Sequence, residues 1–269
     1  MAKEGETPVA AETAEGGGIP QPPAGVGVRL VGVSKAFGPV QVLKDLSLEV
    51  FPGETFVIIG PSGCGKTVLL RHILGLVRPD HGQILLDGEE VGGGGGPRKH
   101  RIAMVFQSSA LFHSLTVADN VALWLREHRV ADAETIRRVV EDQLNLVGLR
   151  EKQDLMPSEL SGGMKKRVAI ARALAMNPSL ILYDEPTAEL DPVMTDVIAE
   201  VILDLKRRLR ITVIVVTHDL NMGSYVADRM AMLHEGQIIE VGTPAEIRQS
   251  TNAVVRAFIS TQTKGMGGM

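Results

Sequence analysis

The sequence predicts an α/β fold built on a mostly parallel sheet with crossover helices, and three features of the chain predict it. The apolar run Phe56-Val57-Ile58-Ile59 leads directly into the glycine-rich loop Gly60-Pro61-Ser62-Gly63-Cys64-Gly65-Lys66-Thr67. A second run, Leu180-Ile181-Leu182-Tyr183, ends on the paired acids Asp184-Glu185. Segments of helical period lie between these runs and a third, Thr212-Val213-Ile214-Val215-Val216. Strand–helix alternation of this kind calls for a parallel sheet with crossover helices.

Along the chain, residues 1–25 are rich in Gly, Pro, Ala and Glu and too poor in apolar surface to offset ordering entropy, so a disordered extension is expected. Residues 28–33 read as a strand. Residues 42–50 alternate as a half-buried strand does, and Pro52-Gly53 marks a turn. After the loop, residues 67–76 form a helix with Leu69, Leu70, Ile73 and Leu74 on its apolar side. Residues 82–88 read as a strand ending in a turn, and the glycine run 92–96 as a flexible loop. Residues 101–106 make another strand.

From residue 115 to 148 the character is helical, with Ile136, Val139, Val140, Leu144 and Val147 at helical spacing. Ser161 is placed to cap a helix that turns Val168, Ala171, Leu174 and Ala175 inward. Residues 192–209 form one more helix. The expected organisation is an extension over 1–25, a main domain over 26–243 with a helical subdomain over about 108–178, and a C-terminal helix and flexible tail over 244–269.

Composition narrows the function. The 269 residues are 44% hydrophobic and 22% charged, as in ordinary globular proteins, and a net charge of -4 gives no global field that favours nucleic acid. One cysteine excludes an internal disulfide framework and fits a reducing compartment. No apolar run approaches the roughly 18 residues that span a bilayer. Glu4, Glu6, Glu12 and Glu15 do not suit a targeting peptide. A cytoplasmic chain is expected, associated with a membrane only through a partner.

The loop spacing Gly60-x-x-x-x-Gly65-Lys66-Thr67, after a buried strand and before a helix, is that of a phosphate loop. Its glycines let successive N–H groups wrap a phosphate, and the helix start adds favourable partial charge. Lys66 is expected on the β- and γ-phosphates and Thr67 on Mg²⁺. Cys64 reads either as a small filler or as a thiol whose pKa the helix start and Lys66 lower. Of the acids at the strand end, Asp184 suits the Mg²⁺ shell and Glu185 the general base that activates water.

Together these motifs resemble the ATP-binding subunit of ATP-binding cassette (ABC) transporters over about residues 28–242. The resemblance implies a RecA-like phosphate-loop NTPase core, with an antiparallel β subdomain and an inserted α-helical subdomain. It implies ATP and Mg²⁺ as cofactors, held by Phe37 on adenine, by Gly60, Pro61, Ser62, Gly63, Cys64, Gly65, Lys66, Thr67 and Val68, and by Gln107 between Mg²⁺ and the membrane partner. Leu160-Ser161-Gly162-Gly163-Met164 is similar to the family signature, which serves the ATP of a second copy. Asp191 falls in the loop that communicates between subunits, and His218 where the family contacts the γ-phosphate. Met164 departs from the commonest residue, Gln, and Glu189 from a common Gly.

The tract 160–169, followed by Tyr183-Asp184-Glu185-Pro186-Thr187, resembles the ATPases of Mla- and Mce-type lipid transporters. That branch implies a homodimer, an integral permease and lipid-binding components as partners, at the cytoplasmic face of the inner membrane. An importer of small polar solutes, and a soluble non-transport ATPase, are the alternatives. Lys165, Lys166 and Arg167 read as a solvated helix face. Residues 111–117 and Trp124 read as a groove for a helix of the membrane subunit, or Trp124 as plain core. Residues 254–259 read as a last helix docked on its own domain or on the second subunit.

Overall fold

The computed structural model describes residues 24–92 and 100–264. The expected extension over 1–25, glycine run 92–96 and C-terminal tail lie outside them, but for residues 24, 25 and 92. The elements run β1 (Val28–Phe37), β2 (Val40–Val50), β3 (Thr55–Ile59), α1 (Lys66–Ile73), β4 (His81–Leu86), β5 (Glu89–Glu90) and β6 (Ile102–Val105). Three helices follow, α2 (Val117–Glu127), α3 (Ala133–Leu146) and α4 (Gly162–Ala175). The rest is β7 (Leu180–Asp184), α5 (Pro192–Leu209), β8 (Thr212–Thr217), α6 (Leu220–Val226), β9 (Arg229–His234), β10 (Gln237–Gly242), α7 (Pro244–Arg248) and α8 (Ala253–Lys264).

These strands make two sheets. The antiparallel one has the order β2-β1-β4-β5, and the other has the order β10-β9-β3-β8-β7-β6. In the second, β9, β3, β8, β7 and β6 are parallel and only β10 at the edge is antiparallel. The central strands read as unbroken apolar runs because both of their faces are covered. Phe56, Ile58, Leu180, Leu182, Ile214 and Val216 enter one core, shared with α1 and the antiparallel sheet. Val57, Ile59, Ile181, Tyr183, Val213 and Val215 enter the other, beneath the helices.

Local chemistry sets the helix starts. The side chains of Thr116, Asp132, Ser161, Asp191, Asp219 and Thr243 each accept a hydrogen bond from a backbone N–H in the first turn of α2, α3, α4, α5, α6 and α7. The first helix stops at Ile73, short of the expected Leu76. Gly75, at φ 74°, reverses the chain there, and the N–H of Leu76 bonds back to the carbonyl of Arg71. The first strand runs past Val33 to Phe37, because β2 extends back to Val40 and pairs with it. Asn120 is fully buried and ties the turn before α2: it accepts from Phe112 N at 2.8 Å and donates to the carbonyls of Phe112, Leu115 and Thr116.

Gly82 sits opposite the irregularity of β1 between Val31 and Ser34, at φ +80°. A Cβ there would lie 2.4 Å from the backbone oxygens of Gly32 and Val31. Gly82→Ala is therefore expected to cost about 2 kcal/mol. A thermal melt should show a midpoint lower by about 4–8 °C.

Candidate active site

Parallel strands deliver their carboxyl ends to one edge of the sheet, where ligands bind in folds of this kind. Ile59 pairs with Thr217, and Asp184 with Val216. The loop after β3, the acids ending β7 and His218 after β8 therefore open at the same end. Val105 pairs with Tyr183, so Gln107 leaves the sheet one strand further out, with its residue exposed.

The loop closes more tightly than any side chain at its first glycine allows. A Cβ on Gly60 would lie 2.3 Å from the carbonyl oxygen of Leu233 and 2.8 Å from Cys64 Sγ. Gly63 and Gly65 hold φ of 81° and 109°, which favour glycine. Lys66, only 6% exposed, donates to the carbonyls of Gly60 at 2.8 Å and Pro61 at 3.1 Å, and lies 3.4 Å from Glu185 Oε1. The Thr67 hydroxyl donates to Asp184 Oδ1 at 2.9 Å.

Burial pushes the Asp184 carboxyl above its ordinary range; the Thr67 bond opposes this and the charge of Glu185 adds to it. Glu185 turns out of the strand at φ 47°, a left-handed conformation that costs a non-glycine residue on the order of 1–3 kcal/mol. Its backbone N–H bonds the carbonyl of Val216, and its Oε2 accepts from the backbone N–H of His218 at 3.2 Å and from His218 Nδ1 at 2.9 Å. A carboxylate only accepts, so the proton of the imidazole sits on Nδ1.

This donor set fits a nucleotide triphosphate with Mg²⁺. The cradle supplies N–H groups and one ammonium, and the Thr67 hydroxyl with the Asp184 carboxylate supplies hard oxygen ligands. Among the described residues no group of three His, Cys, Asp or Glu side chains could hold an ion by itself.

The other predicted residues fall as follows. Phe37 ends β1 with 49% of its surface exposed, and Lys35 Nζ lies 5.5 Å from its ring centroid. Pro61 is half-buried and Ser62 exposed, at the mouth of the loop, while Val68 packs its side chain against the core shared with α1. Cys64 corrects the expectation of an activated thiol. It is buried, and burial pushes the thiol pKa up, outweighing the charge of Lys66.

A second group gathers at the start of α4. Ser161 caps it, accepting from Met164 N at 3.3 Å, and Ser161 and Gly162 are exposed. Gly163 is buried against α5, where an added Cβ would meet Met194 Cε at 2.1 Å. Asp191 caps α5 by accepting from Met194 N at 2.9 Å, and since Gly162 faces Leu190 and Gly163 faces Met194, the start of α4 and the loop before α5 lie side by side. Met164 packs its side chain against the helical core.

The basic run after Met164 is not a solvated face. Lys166 is buried and donates to the carbonyl of Gln107. Burial pulls its ammonium below the ordinary lysine range, against the charges of Glu189, Asp184 and Glu185. Half-buried Arg167 donates to the carbonyl of Val147 at 3.1 Å. Sequence reasoning missed both links: the loop that Lys166 binds is brought in by the pairing of β6 with β7, and the carbonyl that Arg167 binds by the packing of the end of α3 on α4. It also passed over β9, whose apolar Met230-Ala231-Met232-Leu233 signals a buried strand.

A family model for the ABC transporter matches residues 43–188. The chain belongs to the ABC transporter family. It is an ATP-hydrolysing cassette that works with ATP and Mg²⁺. A probable ribonucleotide transport ATP-binding protein, mkl, from Mycobacterium leprae is 38% identical over 94% of this chain and 74% of its own length. The spermidine/putrescine import ATP-binding protein PotA of Thermotoga maritima is 44% identical over 86% of this chain and 63% of its own. A solved ATP-binding cassette, dimeric in a post-hydrolysis state with ADP and Pi bound, is 33% identical. It superposes with a TM-score of 0.73 over 81% of this chain and 98% of its own.

Because burial penalises the ionised form of Asp184, Asp184→Asn should raise the melting temperature of the nucleotide-free cassette at neutral pH. The difference should vanish as the pH falls to where Asp184 itself is protonated. The same variant should lose ATP hydrolysis by on the order of 100-fold, measured as phosphate release with Mg²⁺.

Proposed function

We propose that two copies of this cassette close on two ATP molecules and drive an integral permease that moves phospholipid or a related lipid across the cell envelope. The observation that carries the paired arrangement is the exposed cap at Ser161 and Gly162. A helix start with free N–H groups is an anion site. Its side-chain contacts run to Met164, whereas the chain's own phosphate cradle is built at the sheet edge. Ser161, Gly162 and Gly163 then serve the γ-phosphate held by the partner copy. The post-hydrolysis dimer of the similar cassette supports this reading.

Within one site, Lys66 and the N–H groups of residues 60–68 hold the phosphates, and Phe37 offers its ring to adenine. Thr67, Asp184 and Gln107 hold Mg²⁺, which when bound offsets the charge of the phosphates. Glu185 takes a proton from water as the oxygen attacks the γ-phosphorus and ADP leaves. His218 keeps the Glu185 carboxylate aimed through its backbone N–H and its Nδ1, and the family resemblance implies that it meets the γ-phosphate. Opening after hydrolysis separates the copies and resets the permease.

The main domain is proposed to span 26–243, with its helical subdomain over about 108–178. Among the described residues no helix is long and apolar enough to cross a membrane, so placement at the cytoplasmic face of the inner membrane rests on the permease. Phe112, 52% exposed, offers the apolar contact for it. Trp124 instead packs on the helical core and stacks on His128 at 4.5 Å. Buried Val255, with Phe258 and Ile259 packed on the core, supports a last helix docked on its own domain.

The lipid reading rests on the tract 160–169 and its likeness to Mla- and Mce-type ATPases. A second reading, import of small polar solutes, is favoured by the names of PotA and of a methionine import ATP-binding protein, MetN, from Mesorhizobium japonicum, 43% identical. Affinity purification of the full chain from native membranes distinguishes them. Phospholipid held by the co-purifying permease complex is expected. A permease with a polar-solute-binding partner and no lipid would overturn the cargo.

Glu185→Gln should bind ATP as the parent does, accumulate as an ATP-bound dimer in size-exclusion chromatography, and lose turnover by about 100-fold or more. Ser161→Arg should leave nucleotide binding to the monomer intact and abolish ATP-dependent pairing. A dimer that persists in Ser161→Arg with ATP would remove Ser161 from the partner's site.

A further inference from the structure

The loop that follows β6 is held by α4. Lys166, with 5% of its surface exposed, donates from its ammonium to the carbonyl of Gln107. Six residues on, Arg172 donates to the carbonyls of Ser109 at 2.9 Å and Ala110 at 2.7 Å. Ser109 and Ala110 stand in succession at φ 62° and 46°, a left-handed pair that neither residue adopts without external support. Two charged donors on one helix supply that support. We propose that Lys166 is a positioning residue: from α4 it pins the carbonyl of Gln107 and, with Arg172, holds residues 107–110 in the shape that presents Gln107 to the Mg²⁺–ATP site.

The proposal rests on the Gln107 role given above. The helix that pins Gln107 is the one whose first residues form the exposed cap at Ser161. One helix therefore carries both the anchor of the Gln107 loop and the surface offered to the other copy. A lysine reaches this carbonyl with a flexible stem and a point charge, so a longer cation can replace it and a neutral chain of similar length cannot.

The test uses the full chain with Mg²⁺ and ATP, and the variants Lys166→Met, Lys166→Arg and Gln107→Ala. Lys166→Met is expected to bind ATP with unchanged affinity but to hydrolyse it about tenfold more slowly. It should also need several-fold more Mg²⁺ for half-maximal rate. Hydrogen exchange should speed up at residues 107–110 and stay unchanged in α1. Lys166→Arg should restore kcat and the Mg²⁺ requirement at least in part.

Parent-like kcat and Mg²⁺ dependence in folded Lys166→Met would overturn the proposal. If Lys166→Met does not fold, Lys166→Gln, too short to reach Gln107, is read in the same way. Gln107→Ala separates the two claims. If it leaves the Mg²⁺ dependence unchanged, the Gln107 role fails. If it changes that dependence while the Lys166 variants do not, only the positioning role of Lys166 fails.

Discussion

The parallel pairing of β8 with β3 on one side and β7 on the other is the constraint on which the rest of the structure depends. Every residue of β8 is buried, and its register is locked at its start. The hydroxyl of buried Thr212 donates to the carbonyl of Val26 and accepts from the N–H of Gly53, while Val213 N bonds the carbonyl of Glu54. A slip of one residue would exchange Val213 and Val215 with Ile214 and Val216 between the two cores. It would also carry His218 away from Glu185. Precision at the site is thus set at the opposite end of the strands, by groups that touch no nucleotide.

On that frame the site is an exercise in pairing buried charge. Lys66 is surrounded by the carbonyls of Gly60 and Pro61 and by Glu185, and Glu185 is completed by His218. A buried ammonium or carboxylate without such partners is strongly destabilising. In the proposed reading, phosphate oxygens replace the carbonyls around Lys66 as nucleotide enters. Glu185 then loses part of its cationic partner and keeps the two donors of His218.

Legibility followed the range of the interactions. The phosphate loop, the apolar strands that end at Asp184 and Thr217, and the cap at Ser161 are local patterns, so they could be read directly, whereas the cap at Asp191 emerged only from the structure. Strand ends were less legible, since the extent of β1 depends on where β2 pairs with it. Lys166 looked like part of a solvated basic run. Its burial arises only when β6 lies beside β7 and sets the carbonyl of Gln107 against α4. Of the two readings of Cys64, the activated thiol fails for a related reason: a helix start and a nearby lysine lower a thiol pKa, but enclosure by packed residues outweighs them, and enclosure is not written in the neighbouring sequence.

Met164 illustrates how a departure from a family pattern can be neutral for chemistry. Glutamine there would offer an amide, whereas the thioether of Met164 packs on the helical core. The backbone N–H of the same residue is already bound by Ser161. What remains for an anion at the helix start is the N–H groups of Gly162 and Gly163 with the Ser161 hydroxyl, none of which depends on the side chain at 164. The substitution therefore moves the grip on the signature from polar to apolar contact without removing an anion donor.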